Sequence, residues 1–358
     1  MSRASTLKKY AGLAGAAAGV VVAGAAAGIL AERQVVARRR AEAEQPFGSL
    51  RAPRRTVVAD DGLELHAEVE EADAGIGSSG APTLIFLHGY ALNLDSWHFQ
   101  RGALRGDHRM VFYDQRSHGR SGRSRDEHCT IDQLGRDLSV VIDELAGDGP
   151  VVLVGHSMGG MTIMALAEQH PEWFGSRVSG VGLVSTSAGG VDGVTLGLPG
   201  PPGRFLRKVT PSVVAALARV PRLVEGSRRA GSDFGFALTR RLAFGGPVPQ
   251  EYVDFTDEML AATPIDVVAH FYPGFDTHDK SHALEALGRV PTVVVIGTRD
   301  AMTPIPHSRR IADEVASADL VELEGAGHMV LLERHDEVTA AIGRLVDRAA
   351  AAITERDE

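Results

Sequence analysis

Gly155-His156-Ser157-Met158-Gly159 directly follows the apolar run Val151–Val154 and directly precedes a stretch suited to a helix. At such a strand-to-helix turn the residues two before and two after the serine crowd together, so only small side chains fit. The hydroxyl then projects from the carboxyl end of the strand. That geometry suits attack on an acyl carbon, but a serine hydroxyl is a poor nucleophile until a base takes its proton. In the chain order serine, acid, histidine, the base falls on a loop after the last strand. Gly325-Ala326-Gly327-His328 follows the run Leu320–Leu323, which makes His328 the candidate base, whereas His307 and His335 sit in charged, helix-like sequence. Asp300, reached from the run Thr292–Ile296 through Gly297-Thr298-Arg299, can hold the histidine's tautomer. A helix cap ahead of Met302 is the other role its position allows. A tetrahedral oxyanion needs two backbone N–H donors. Met158 supplies one and Tyr90, after His88-Gly89, the other, with Ala91 next in line. His88 is expected to brace this loop, not to react.

These residues need a scaffold. Arg54–Val69 reads as two β-branched runs around Asp60-Asp61-Gly62, a hairpin signal. Beyond a Gly/Ser loop at 76–82, short apolar runs at Thr83–Leu87, Met110–Tyr113, Val151–Val154, Val178–Val184, Thr292–Ile296 and Leu320–Leu323 alternate with helical stretches. One helix spans Thr130–Leu145, with Ile131, Leu134, Leu138, Val141, Ile142 and Leu145 on one stripe, and a closing helix spans Glu337–Ile353. Strands that are apolar without alternation are buried on both faces, which implies a mostly parallel sheet between helices, an α/β fold. The stretch 188–282 lacks strand-like runs and has the place of an inserted, mainly helical lid. The expected organisation is 1–53 as an N-terminal hydrophobic helix and charged linker, 54–187 with 283–358 as the core, and 188–282 as the lid.

Composition narrows the function classes. The 358 residues carry a net charge of −9, the opposite of the concentrated basic face a nucleic-acid partner requires. A single cysteine, Cys129, excludes an intramolecular disulfide and a cysteine-based zinc site. His270, His278 and His282 with Asp276 and Asp279 match no metal-ligand spacing, and the glycines and prolines at 189–203 lack the Lys-Ser/Thr of a phosphate loop. No metal and no cofactor are expected. Tyr10–Leu30 is an uncharged Ala/Gly/Val run of 21 residues behind Arg3, Lys8 and Lys9, long enough to span a bilayer. It implies membrane association by a single span with the catalytic domain on the cytoplasmic side; secretion after signal cleavage is the alternative. Residues 188–250 hold nine basic and three acidic side chains, a net +6, beside the stripe Val213, Leu217, Val220 and Val224 after Thr210-Pro211. Such a segment suits a lid helix over the pocket or an interfacial helix on an anionic leaflet.

His88-Gly89, the segment Asp114-Gln115-Arg116-Ser117-His118-Gly119-Arg120-Ser121, GHSMGG at 155–160, GTRD at 297–300 and GAGH at 325–328 together resemble the α/β-hydrolase superfamily over residues 54–348. Many relatives have Gly where this chain has Ser117, and some take the acid from just after the strand Val178–Val184, which makes Asp192 the alternative to Asp300. Haloalkane dehalogenases and epoxide hydrolases resemble this chain but use an aspartate as nucleophile; Ser157 sets it apart from them, and the absent HGGG motif sets it apart from the hormone-sensitive-lipase branch. The resemblance implies a serine hydrolase of the carboxylesterase or lipase-like kind acting on a small-molecule or lipid acyl substrate. A cofactor-free perhydrolase or haloperoxidase-like enzyme, or a C–C bond hydrolase, would use the same three residues. A binding protein that keeps the fold without catalysis is the reading from another class.

Overall fold

The computed structural model describes residues 46–73, 81–190 and 239–357. The span Tyr10–Leu30, the loop at 76–80, Asp192 and the stripe from Val213 to Val224 lie outside them. Among the described residues no helix is long and apolar enough to cross a membrane.

Eight strands form one sheet in the order β1-β2-β4-β3-β5-β6-β7-β8. β1 (Arg54–Val58) and β2 (Glu64–Glu70) make the expected hairpin, turning at Gly62, whose φ is +83°. β2 pairs antiparallel with β4 (Met110–Tyr113). From there on the ladder is parallel, through β3 (Thr83–Leu87), β5 (Val151–His156), β6 (Val178–Val184), β7 (Thr292–Gly297) and the edge strand β8 (Ala318–Leu323). Strand side chains alternate between faces, and here both faces are covered. On β3, Ile85 and Leu87 enter one core, while Leu84 and Phe86 enter the other. On β5, Val151 and Leu153 part from Val152 and Val154 in the same way. Each such side chain contributes about 1.5–3 kcal/mol relative to exposure, which is why these runs are apolar throughout.

Helix α1 (His98–Leu104) and helices α2 (Ile131–Ala146) and α3 (Met158–Gln169) follow β3, β4 and β5. Thr130 caps α2, its hydroxyl oxygen accepting from the Gln133 N–H, and the predicted stripe of Leu138, Val141 and Ile142 packs under the sheet. Between β6 and β7 the described residues hold α4 (Gln250–Ala262) and α5 (Ile265–Asp276) and no strand. Pro304 opens α6 (Ile305–Glu314), and α7 (His335–Asp357) closes the chain against the other face through Ala341, Ile342 and Leu345. β8 begins two residues before the apolar run, where Ala318 and Asp319 pair with Thr292 and Val293 of β7. The functional consequence is common to all the parallel strands. Their carboxyl ends, and the loops bearing Ser157, Asp300 and His328, come to one rim of the sheet, where open α/β sheets bind ligands.

Candidate active site

Ser157 stands between β5 and α3 with φ +52° and ψ −115°, a backbone conformation that costs a non-glycine residue on the order of 1–3 kcal/mol. Its neighbours make the turn possible. A Cβ on Gly155 would lie 2.5 Å from the Gly159 carbonyl carbon, and one on Gly159 would lie 2.3 Å from the Leu87 oxygen. The Ser157 N–H donates to the Val184 carbonyl at 2.9 Å, and the Thr186 hydroxyl donates to the Ser157 carbonyl at 2.7 Å. Although Ser157 occupies the N-cap position of α3, its hydroxyl makes no capping bond. The side chain is thus left to face a cavity.

That cavity, of about 410 Å³, has Ser157 and His328 on its wall together with Gly89, Tyr90 and Ala91. His328 comes from the loop after β8, and its Nδ1–H donates to Asp300 Oδ2 at 2.8 Å. A carboxylate can only accept, so Nδ1 carries the proton and Nε2 presents a lone pair. The Asp300 carboxylate is itself secured. Its Oδ1 accepts from the Met302 and Thr303 N–H groups at 2.8 and 2.9 Å, and its Oδ2 also accepts the Thr303 hydroxyl at 2.9 Å. Both roles allowed by the sequence are therefore filled by one side chain, with one oxygen capping the turn and the other holding the histidine. Burial pushes the Asp300 carboxyl up, but the His328 ring and the bonds from His328 and Thr303 outweigh it and hold the pKa below the ordinary value.

The loop after β3 is braced from beneath. His88 Nε2 accepts from the Gln115 N–H at 2.9 Å, so Nδ1 carries the proton that it donates to the Gly89 carbonyl at 2.8 Å. Burial, with His118 nearby, lowers the His88 pKa to about 3, which keeps this ring neutral. The Gln115 amide donates to the His88 carbonyl at 2.6 Å and its oxygen accepts the Thr162 hydroxyl of α3 at 2.8 Å, linking this loop to the helix that starts at Met158. At the α4–α5 segment, the Tyr90 hydroxyl donates to the Val268 carbonyl and the Thr263 hydroxyl donates to the Ala91 carbonyl at 2.9 Å.

Several residues of this arrangement carry no sequence signal of their own. His156 is fully buried, and its Nε2–H donates to the His328 carbonyl at 3.0 Å, so the residue before the serine supports the loop of the histidine. Burial and the neighbouring His328 ring lower its pKa to about 3. Thr303 could have been suspected from its place three residues after Asp300, the spacing of a capping turn. Gln115 and Thr162 could not. Ser117, where a glycine is usual, has φ +66°, which explains the usual glycine; its hydroxyl accepts the Ser124 N–H at 2.9 Å. The histidines at 270, 278 and 282 go separate ways, to Asp126, to the Ser187 carbonyl and to Glu168.

The rest of the cavity wall is largely apolar, with Leu92, Leu242, Leu260, Val268, Met302 and Met329 contributing to it. A serine, a histidine whose Nε2 meets no hydrogen-bond partner among the described residues and an ordered carboxylate beside an apolar cavity can attack an acyl carbon, shuttle the proton and bind an apolar acyl group.

The family described as "alpha/beta hydrolase fold" matches residues 82–335. The chain is 27% identical over 267 residues to the dihydrolipoyllysine-residue acetyltransferase component of an acetoin cleaving system from Pseudomonas putida, a match covering 74% of this chain and 63% of that protein. It spans less than two thirds of the length of the curated relatives it matches first. It is also 27% identical over 334 residues to epoxide hydrolase A of Mycobacterium tuberculosis, covering 81% of this chain and 96% of that one. In three dimensions it resembles an esterase from Exiguobacterium antarcticum with a TM-score of 0.64 at 20% identity, over 83% of this chain and all of that one.

Proposed function

The chain belongs to the α/β-hydrolase family, and we propose that within it this hydrolase cleaves a carboxylic ester or related acyl compound through an acyl-enzyme on Ser157. The observation that carries the reading is the joint placement of Ser157 and a tautomer-fixed His328 on the wall of one apolar cavity. His328 Nε2 takes the hydroxyl proton as Ser157 Oγ attacks the carbonyl carbon. The tetrahedral oxyanion is held by the N–H groups of Met158 and Tyr90, of which the first also has the positive end of α3 behind it. His328 returns the proton to the leaving alcohol, Asp300 steadying the imidazolium meanwhile. Water activated by His328 then attacks the acyl-enzyme and frees the acid.

Similarity to epoxide hydrolase A raises epoxide opening as a second reading. The nucleophile type argues against it. Attack by a carboxylate on an epoxide gives an ester, which water can cleave. Attack by Ser157 would give an ether, which water does not cleave, and the enzyme would stop after one event.

A fluorophosphonate probe followed by a panel of esters, thioesters and epoxides tests the proposal. Wild-type protein should label at Ser157 and turn over esters. Ser157→Ala should abolish labelling and cut ester turnover by about six orders of magnitude, the scale known for loss of a serine nucleophile. Epoxide turnover that survives Ser157→Ala, with no ester hydrolysis by the wild type, would replace this reading with another.

A further inference from the structure

The loop that carries His328 is fastened to the lid by a residue outside the three proposed to react. Glu333 ends the short helix Val330–Glu333, five residues after His328. Its Oε2 accepts two backbone N–H groups from distant parts of the chain, that of Gly327 at 2.8 Å and that of Gly245 at 3.1 Å. Gly327 immediately precedes His328, and Gly245 lies on the segment by which the chain leaves the helical turn at 239–243 on its way to α4. Bonds from neutral donors to a carboxylate are stronger than those to a neutral acceptor, and a single atom here joins both segments.

The two backbones run in close contact around this point. The Met329 N–H donates to the Ala243 carbonyl at 2.7 Å, and the Arg299 guanidinium donates to the Gly245 carbonyl at 3.2 Å. A Cβ on Gly245 would lie 2.3 Å from the Gly325 oxygen, and one on Gly327 would lie 2.3 Å from the Gly245 nitrogen. Only glycine allows this approach from either side. Leu242 and Ala243, on the same segment, form cavity wall, as do His328 and Met329 on the loop. The loop is held on its other side by His156, which donates to the His328 carbonyl.

We propose that Glu333 is a positioning residue: it locks the lid's return segment, 242–246, to the histidine loop, so that the wall receiving the acyl group and the proposed general base keep one fixed relation. The proposal rests on the reading of His328 as base. Seating of the acyl group against Leu242 and Ala243 then registers the substrate carbonyl directly against the His328 ring.

The test compares Glu333→Ala, Glu333→Gln, Gly245→Ala and His328→Ala in the full chain, by steady-state kinetics on an ester the wild type hydrolyses, with thermal melts to select folded protein. Glu333→Ala should lower kcat on the order of tenfold to a hundredfold, the cost of small misplacements of a reacting group, with KM unchanged within about twofold. Glu333→Gln should recover most of the loss, since its amide oxygen can accept both N–H groups. Gly245→Ala should reproduce the kcat loss with the carboxylate intact, and its combination with Glu333→Ala should be less than additive. Wild-type kcat in folded Glu333→Ala, or a Gln variant no better than Ala, with His328→Ala inactive, would overturn the positioning role and leave the base standing. A fully active His328→Ala would overturn the base reading and this proposal with it.

Discussion

The two halves of the cavity are built on different principles. On the sheet side, Ser157, Asp300, His328 and the Gly89–Ala91 loop are each fixed by hydrogen bonds from strand ends, from the turn after Asp300 or from buried histidines. Opposite them, Leu260 of α4 and Val268 of α5 present apolar side chains to the cavity. Hydrogen bonds specify position to fractions of an ångström, whereas apolar burial scales with area and is non-directional. The difference assigns the work. Under the proposed chemistry, the sheet side would decide whether an acyl group reacts, and α4 and α5 which acyl group.

The sharpest test of the sheet side is Asp300→Asn. The asparagine keeps an oxygen for the capping N–H groups of Met302 and Thr303, but it can turn its amide donor toward His328 and favour the tautomer with the proton on Nε2. Ester turnover should fall by about four orders of magnitude, as loss of a triad carboxylate does, while the melting temperature moves little. Near-normal turnover would remove Asp300 from the mechanism and direct attention to the alternative, Asp192.

A smaller effect follows from the buried histidines that brace this side. His88 and His156 have pKa values lowered to about 3, and His118 to about 4, chiefly by burial, against an ordinary 6.5. In the unfolded chain they take up protons below about pH 6.5 that the folded protein refuses, so their contribution is complete above that pH and is lost as pH falls toward 4. Asp114, raised to about 6 by burial, works the other way over the same window. Three groups against one leave these four with a net proton uptake on unfolding, which the lowered pKa values of His98 and His278 reinforce, so stability should fall as pH drops from 6 to 4. Urea unfolding at pH 7, 6 and 5 measures this slope. His156→Gln, which keeps a donor for the His328 carbonyl, should flatten it by about one proton. An unchanged slope in that variant would mean that His156 is charged in the folded state.

The same division explains what could be read in advance. Glycines beside Ser157 and His328 are legible because close backbone approach admits nothing larger, and apolar runs followed by those glycines place them at strand ends. The capping of Asp300 and the hairpin at Gly62 follow from equally local rules. Gln115, Thr162 and Glu333 were illegible, since each has a partner far along the chain, His88 for Gln115, Gln115 for Thr162 and Gly245 for Glu333, and no spacing records that. Helices α4 and α5 share this limit in another form. Apolar periodicity says that a helix has a buried face, and nothing in Phe255, Leu260 or Val268 says that part of it closes over Ser157. Ser117 departs from the usual glycine yet keeps the left-handed backbone, and its hydroxyl accepts a bond from Ser124 that glycine could not.

The smallest effect lies on the lid side, and it asks whether the two halves are separable. Leu260→Ala on α4 removes three carbons from the cavity wall without touching any hydrogen bond named around Ser157 or His328. A pocket distinguishes substrates differing by a methylene by about 1–3 kcal/mol, so the ratio of kcat/KM for longer over shorter acyl esters should rise by about tenfold or more. Labelling of Ser157 by a small fluorophosphonate should hold its wild-type rate, because that reagent barely reaches the enlarged wall. Leu242 gives the contrast. It faces the same cavity but sits on the segment fastened to the His328 loop through Glu333. Leu242→Ala should therefore move both the acyl preference and kcat, where Leu260→Ala moves the preference alone. Equal losses of labelling rate in the two variants would show that α4 also governs the position of the reacting groups, and that the lid acts on the chemistry as one piece.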